Sequence, residues 1–323
     1  MRAAVYENNG GPDVLQYAEV PDPVVRRGGL VIDVAAVGIQ GGDLLNRQGG
    51  ALVTNPHIVG YQASGTVREI GAGVTGFTVG QAVVATMPYG SHAEIISVPA
   101  GSALAVPDGV PIEQAAAVPI EFGTADDCLF EFGRLRAGET VLVQAGAGGV
   151  GLAAVQLAHA AGAAKVFATA SSETRLQRLH DYGMDEGINY ATTDVARQVM
   201  QLTDGRCVDL VVDPVGGRTL EGSIAALAYR GRVSWVGQAG RDTRPPEVSS
   251  LMQKNASLTG VFLGAETAVA PQRTRAMFES LLARVASGEL KVVIDREFAL
   301  ADAADAHRYI ESRQAFGRVL LRP

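Results

Sequence analysis

The sequence predicts an α/β protein: a doubly wound parallel sheet covered by helices and set into a mostly β remainder. Three observations predict it. Residues from about 120 to 260 alternate apolar, strand-like runs with helical stretches, the pattern of a parallel sheet with helices on both faces. Residues 1 to about 118 carry many short strand-like runs divided by glycine turns, as in a compact barrel-like domain. A glycine-rich turn, Gly146-Ala147-Gly148-Gly149-Val150-Gly151, joins the first strand of the alternating region to its first helix.

Taken in order, the first region has expected strands at 2–6, 29–36, 65–70, 82–85 and 93–98. Turns such as Gly10-Gly11-Pro12, Gly71-Ala72-Gly73 and Pro107-Asp108-Gly109 separate them. A helix is expected from Pro111, whose ring suits a first turn, with Glu113 favourable beside it. Composition turns helical near 120–132. Strands are then expected at 141–143, 165–170, 187–190, 208–213, 231–236 and 258–262. The helices between them are placed at 152–161, 173–182, 195–203 and 219–228, with Gly183, Pro214 and Gly237 as stops. In the tail, 271–287 and 301–311 read as helices and 291–298 and 318–321 as strands. The tail is expected partly to rejoin the first region.

The stretch Thr140–Gly151 organises the chain. Val141-Leu142-Val143 suits a buried parallel strand. The G-x-G-x-x-G turn follows, then a segment rich in Ala and Leu, both good helix formers. Strand, glycine turn and helix together are the context in which this motif binds a dinucleotide. Gly146 takes the tight turn, Gly148 lets a pyrophosphate approach the backbone, and Gly151 lets helix and strand pack closely. The helix N-terminus supplies free N–H groups and partial positive charge. This makes the alternating region a Rossmann unit.

Composition narrows the rest. The 323 residues suit about two domains. Apolar residues make up 47% and charged residues 19%, ample for a core. A net charge of −7 without a basic block argues against nucleic acid as the main partner. No run of 18 apolar residues suggests a membrane span, and the first residues lack the apolar core of a signal peptide. Cys128 and Cys207 are too few for a disulfide framework or a C-x-x-C zinc site. A soluble cytoplasmic protein is the expectation.

The second strand of the Rossmann unit ends in Thr169-Ala170-Ser171-Ser172, with no carboxylate at its tip. A tip carboxylate holds the ribose hydroxyls of NAD. Here hydroxyls and Arg175 stand ready for a 2′-phosphate instead, so NADPH is expected over NADH. Ser172 also suits a helix cap and Arg175 a solvated charge; capping and phosphate binding are compatible.

Several motifs together resemble one family: the zinc-independent quinone oxidoreductases of the medium-chain dehydrogenase/reductase superfamily, the zeta-crystallin-like group. The likeness covers nearly the full length. It starts at the opening MRAAVYENNGGPDVL and passes through Val37-Gly38-Ile39-Gln40-Gly41-Gly42-Asp43 and Gly60-Tyr61-Gln62-Ala63-Ser64-Gly65. It continues in Gly80-Gln81-Ala82-Val83, the 144–151 loop, Ile188-Asn189-Tyr190 and Asp213-Pro214-Val215-Gly216-Gly217. It closes with Gly317-Arg318-Val319-Leu320. The resemblance implies a Rossmann NADPH domain (121–264) inserted in a GroES-like, mostly β catalytic domain (1–120 and 265–323). It implies that Arg175 meets the 2′-phosphate and that Tyr190 lies beside the adenosine phosphates. Val236, Gly237, Phe262, Leu263 and Gly264 would line the nicotinamide, with Gly317 and Arg318 approaching from the tail. By residue type alone, Tyr190 equally suits a packed strand and Gly237, Gly264 and Gly317 equally suit simple turns.

In zinc-dependent relatives the catalytic ligand positions would fall at Gln40, Tyr61 and Ile120 of this chain, none of them Cys or His. The Glu of their G-H-E motif becomes Gln62, and no cysteine-rich lobe is present. The five histidines show no ligand spacing. No metal is expected, and the acceptor must already be electrophilic: a quinone, or a C=C bond conjugated to a carbonyl. Gln40 and Tyr61 are the candidate donors to the carbonyl oxygen that gains charge. Asp43 would orient its neighbours, or serve as a turn or capping residue. Gln40 departs from the Asn frequent in the family at this place, which bears on substrate preference. Two rival readings stand: an NADPH-dependent enoyl or 2-alkenal reductase, and an NADPH-binding crystallin-like or RNA-binding protein with little turnover. The unpaired strand at 258–262 suggests a homodimer by edge pairing.

Overall fold

Small and β-branched residues alternate through GLVIDVAAVG, and this run forms the longest strand, β3 (Gly29–Gly38), buried except near Asp33 and Ala35. The computed structural model describes residues 1–323 and divides them into two units: Met1–Ile120 with Pro271–Pro323, and Glu121–Ala270. In the first unit, β1 (Arg2–Tyr6) pairs with β2 (Gln16–Glu19) and with the two-residue β4 (His57–Ile58). Around β3 lie β5 (Gln62–Ile70), β6 (Ala82–Thr86), β7 (Ile95–Pro99) and β8 (Ala103–Ala105). Leu30, Ile32, Val67, Val83 and Ile96 share its core.

The second unit carries β9 (Thr140–Val143), β10 (Lys165–Ala170), β11 (Glu186–Asn189), β12 (Val208–Asp213), β13 (Leu227–Trp235) and β14 (Ser257–Gly260). They lie in the order β11-β10-β9-β12-β13-β14, every neighbouring pair parallel. Counted from β9, this is the 3-2-1-4-5-6 order of dinucleotide-binding sheets, and the order reverses between β9 and β12. Both faces are covered, so β9 is a nearly pure apolar run; Val141, Leu142 and Val143 are fully buried.

The tail contributes β15 (Ile294–Ala299), the helix Ala303–Glu311 and β16 (Arg318–Arg322) to the first unit. β16 runs antiparallel to β3, with Leu320 opposite Gly38 and Leu321 opposite Val37.

The strand at 16–19 and the helices at 249–254 and 263–269 lie outside the expected elements, and two further differences have a visible physical reason. The helix placed at 219–228 is Gly217–Ala225, and the strand placed at 231–236 begins at Leu227. Leu227 pairs with Val208 and joins the core, which pulls the chain into the sheet early. The Lys254 ammonium seals the shortened helix, donating to the carbonyls of Ile224, Ala225 and Leu227 at 3.3, 2.7 and 2.8 Å. The second is a helix, Gly41–Gly49, in a stretch without a helical pattern. No helix is long and apolar enough to cross a membrane.

Candidate active site

The glycine turn divides its work among its residues. Ala145, just before it, sits at φ +51°, a left-handed backbone that a non-glycine residue adopts only when held there. A Cβ at Gly146 would come within 2.9 Å of Ala168 Cβ, and one at Gly151 within 2.3 Å of the Ala145 carbonyl oxygen. These two glycines serve packing of the turn itself. Gly148 differs: it is exposed, and a Cβ there would meet only the Ala145 oxygen, at 3.4 Å. It caps the helix Gly149–Ala160, whose first N–H groups therefore open onto an unobstructed backbone. Gly149 and Val150 are half-exposed, while Ala147 is buried.

One strand over, at the end of β10, Arg175 Nη1 donates to Ser171 Oγ at 3.0 Å. Ser172 caps the helix Glu173–Leu179 through its backbone: its carbonyl accepts from Arg175 and Leu176, both at 3.2 Å. Its hydroxyl makes no capping bond. Glu173, the first residue of this helix, accepts from Asn189 Nδ2 at 2.9 Å. Tyr190 follows β11, its N–H bonded to the Ala170 carbonyl at 3.1 Å, and is 45% exposed. The glycine turn, Ser171, Ser172, Arg175 and Tyr190 thus occupy the carboxyl ends of three adjacent strands.

Val236 and Gly237 follow β13. Val236 N–H bonds the Asp213 carbonyl at 2.9 Å, and the Gly237 carbonyl accepts from Trp235 Nε1 at 2.7 Å. Phe262 is 73% exposed at the start of the helix Leu263–Val269, with Leu263 buried and Gly264 under the Phe262 ring. This trio follows β14, three strands from β9, about 14 Å at ordinary strand spacing.

A buried polar chain crosses the sheet beneath the turn. Ala145 N–H donates to Thr169 Oγ1 at 3.0 Å; Thr169 Oγ1 donates to Gln144 Oε1 at 2.9 Å. Gln144 Nε2 donates to Ser223 Oγ at 3.1 Å, and Ser223 Oγ to Asp213 Oδ2 at 2.7 Å. The other Asp213 oxygen accepts from the N–H groups of Val215 and Gly216 at 2.7 and 2.9 Å. Burial raises the Asp213 pKa, and these three bonds work against the rise. Four residues, one each from β10, the end of β9, the helix Gly217–Ala225 and β12, thereby tie the glycine turn to the loop after β12.

The first unit gathers a second group. Gln40 precedes the helix Gly41–Gly49; its N–H donates to Asp43 Oδ2 at 2.7 Å and its amide to the Gly38 carbonyl at 3.3 Å. Asp43, fully buried, therefore caps the helix and orients the Gln40 backbone at once. The half-buried Tyr61 ring packs on Gly42, where a Cβ would come within 2.6 Å of it. Asn46 Nδ2 donates to the Tyr61 hydroxyl at 3.2 Å. Burial and the nearby Asp43 charge raise the Tyr61 pKa. Arg318 donates to the carbonyl of Ile39, next to Gln40. Gly317, at φ +94°, turns where a Cβ would strike the Val293 oxygen at 2.4 Å. Gln62 Oε1 accepts the Ile120 N–H at 3.0 Å, so this buried amide serves the start of the helix Pro119–Asp126.

Known proteins match both units. Residues 26–108 match the alcohol dehydrogenase GroES-like domain and residues 149–286 the zinc-binding dehydrogenase family. A quinone oxidoreductase of Pseudomonas aeruginosa is 34% identical over 319 residues, 97% of each chain. The chain belongs to the quinone oxidoreductase group of the medium-chain dehydrogenase/reductase superfamily. It is an oxidoreductase with a GroES-like and a Rossmann domain. Among solved structures, the Escherichia coli quinone oxidoreductase complexed with NADPH superposes with a TM-score of 0.95 at 29% identity, covering 100% of both chains. A 2-haloacrylate reductase superposes at 0.85 with 30% identity, covering 100% of this chain and 99% of its own.

The match to the zinc-binding dehydrogenase family raises the question of a metal at Gln40, Tyr61 and Ile120. No three His, Cys, Asp or Glu side chains gather where they would hold a metal ion. Gln40 and Tyr61 present a neutral amide and a phenol held protonated, and Ile120 presents no side-chain donor. This set does not fit zinc.

Pattern reading missed Asn46 and Ser223, ordinary polar residues in sequence, and read Thr169 as part of the strand tip and Gln144 as part of the glycine loop rather than as links in the buried chain. It also missed Arg47, fully buried in the helix Gly41–Gly49. Its guanidinium donates to His307 Nδ1 at 3.0 Å, to Glu311 at 2.5 Å and to the Gly10 carbonyl at 3.2 Å. His307 Nε2 lies 3.0 Å from His92 Nε2.

Proposed function

We propose that this oxidoreductase uses NADPH to reduce a quinone or related conjugated carbonyl acceptor, without a metal. The observation that carries the reading is the exposed Gly148 backbone at a helix N-terminus, one strand from the Ser171–Arg175 pair. The NADPH complex of the Escherichia coli relative supports it. A bound NADPH supplies hydride. The helix N-terminus at Gly148–Gly151 holds the pyrophosphate, and Ser171, Ser172 and Arg175 hold the 2′-phosphate. Tyr190 flanks the adenosine side, while Val236, Gly237, Phe262, Leu263, Gly264, Gly317 and Arg318 serve the nicotinamide side. Gln40 and Tyr61 donate to the acceptor's carbonyl oxygen as it gains charge, with Asp43 holding Gln40 in place. Water supplies the balancing proton.

The alkene reading keeps a place because of the likeness to a 2-haloacrylate reductase. NADPH and NADH oxidation at 340 nm, against 1,4-benzoquinone, 1,2-naphthoquinone and cyclohexenone, separates the readings. Turnover of quinones with NADPH supports the proposal, and turnover of the enone alone moves the chain to C=C reduction. Tight NADPH binding with no oxidation by any acceptor points to a binding role. The edge position of β14 supports a homodimer, tested by sedimentation.

A further inference from the structure

Asn46 has each end of its side chain at a fixed point. Nδ2 donates to the Tyr61 hydroxyl at 3.2 Å. Oδ1 lies over Gly50, where a Cβ would come within 1.6 Å of it. The amide thus has its oxygen against Gly50 and its N–H groups toward Tyr61. The helix beneath it is pinned by the next residue, Arg47, through Gly10, His307 and Glu311. The same guanidinium is linked through two histidines to the residue before Tyr61. His307 contacts His92, and a Cβ at Gly60, the residue before Tyr61, would come within 2.4 Å of His92 Nδ1. Asn46 and Tyr61 are therefore held on one frame.

A phenol oxygen both accepts and donates. The Tyr61 hydroxyl donates to the Gly42 carbonyl at 3.5 Å, well beyond the roughly 2.7–2.8 Å usual for such bonds. Its proton is weakly held. An amide N–H, by contrast, donates to the phenol oxygen and cannot take its proton.

We infer that Asn46 is a positioning residue for the reduction: its amide fills the acceptor side of the Tyr61 oxygen and leaves the O–H to be donated to the substrate carbonyl. The inference rests on the reading of Tyr61 as the donor. Burial, and after it the nearby Asp43 charge, keeps the phenol protonated, so the donor persists through neutral pH.

The test compares Asn46→Asp, Asn46→Ala and Tyr61→Phe, with the double variants N46D/Y61F and N46A/Y61F. Each is assayed with NADPH and whichever of 1,2-naphthoquinone or cyclohexenone the wild type reduces faster. The aspartate variant keeps the shape but offers a carboxylate, which captures the hydroxyl proton in a charge-assisted bond. Its kcat falls about 10- to 100-fold at pH 8, against a few-fold for the alanine variant, at unchanged KM for NADPH. Its rate relative to N46A recovers as pH falls and the introduced carboxyl becomes a donor again. In the Y61F background the difference between the two substitutions disappears. If Y61F alone leaves kcat intact, the donor reading fails and the inference with it. If Y61F lowers kcat but N46D matches N46A at every pH, or their difference survives in Y61F, Tyr61 stands and the role of Asn46 is overturned. Matching thermal unfolding of all variants keeps misfolding out of the comparison.

Discussion

Replacing Thr169 by Val removes one oxygen from the middle of the buried chain and almost nothing else. Thr169 is 1% exposed, and valine fills nearly the same volume. The lost hydroxyl accepts from Ala145 N–H and donates to Gln144 Oε1. Gln144 is itself 2% exposed, so its oxygen loses its partner in a dry place. A buried polar group left without its bond costs about 1–3 kcal/mol. With the Ala145 N–H partly reachable by water, the sum is about 2–4 kcal/mol. Thr169→Ser keeps both bonds and loses one methyl group, about 1 kcal/mol. Urea unfolding followed by the single tryptophan reads the right unit, because Trp235 ends β13. NADPH titration reads the second effect: Ala145 loses a bond that holds its left-handed backbone, and the affinity should drop about tenfold, equivalent to ~1.4 kcal/mol. The serine variant should bind as the wild type does. Equal urea midpoints for T169V and wild type, or equal losses for Val and Ser, would show that the hydroxyl does not hold the turn.

Further outcomes follow from the same geometry. Gly148→Ala should leave the urea midpoint within about 0.5 kcal/mol of wild type yet abolish tight NADPH binding. Gly151→Ala, whose Cβ would clash with the Ala145 oxygen, should lose about 3 kcal/mol by the same unfolding assay. Arg175→Ala should cut the preference for NADPH over NADH about 10- to 100-fold in kcat/KM, the worth of a charge-assisted contact; an unchanged ratio would remove Arg175 from the phosphate site. Stability should fall with acidity between pH 7 and 5. Burial lowers the His92 pKa to about 3, so only the unfolded chain takes up its proton as pH drops below about 6.5. The folded state then loses about 2 kcal/mol by pH 5 from His92 alone. His57 and His307, also lowered by burial, act in the same direction. Carboxylates lowered by hydrogen bonds, such as Asp209 through Thr140 and then Arg206 against the opposing effect of burial, lose their contribution only further down, near their ordinary range. A flat urea midpoint from pH 7 to 5 would contradict the neutral burial of these histidines.

What was legible in the sequence was local. Val141-Leu142-Val143 leads within three residues into a glycine-rich turn, and most neighbouring strands are largely apolar runs, so the parallel sheet and the turn at Gly146 follow from composition and order. The helix Gly41–Gly49 was not legible: its ends read Gly41-Gly42 and Gly49-Gly50, all poor helix residues. It exists because Asp43 caps it and because Arg47 reaches His307, 260 positions along the chain. No pattern of spacing announces such a partner, and for the same reason His92 and His307 read as isolated histidines. The two hidden polar chains share a logic that only the assembled structure exposes. Each ends on a charge that can act in one direction. Asp213 only accepts, so Ser223, Gln144 and Thr169 must each pass a donor toward it, which leaves Thr169 able to accept from Ala145. Arg47 only donates, so His307 must carry its proton on Nε2, and His92 must carry its own on Nδ1, beside Ser91 Oγ. Neutral side chains with two possible orientations are thereby left with one. The first chain ends at the backbone that enters the glycine turn. The second ends at the backbone that enters Gly60 and Tyr61. In both units a buried charge at some distance fixes the direction of hydrogen bonds at the candidate site, without itself standing in it.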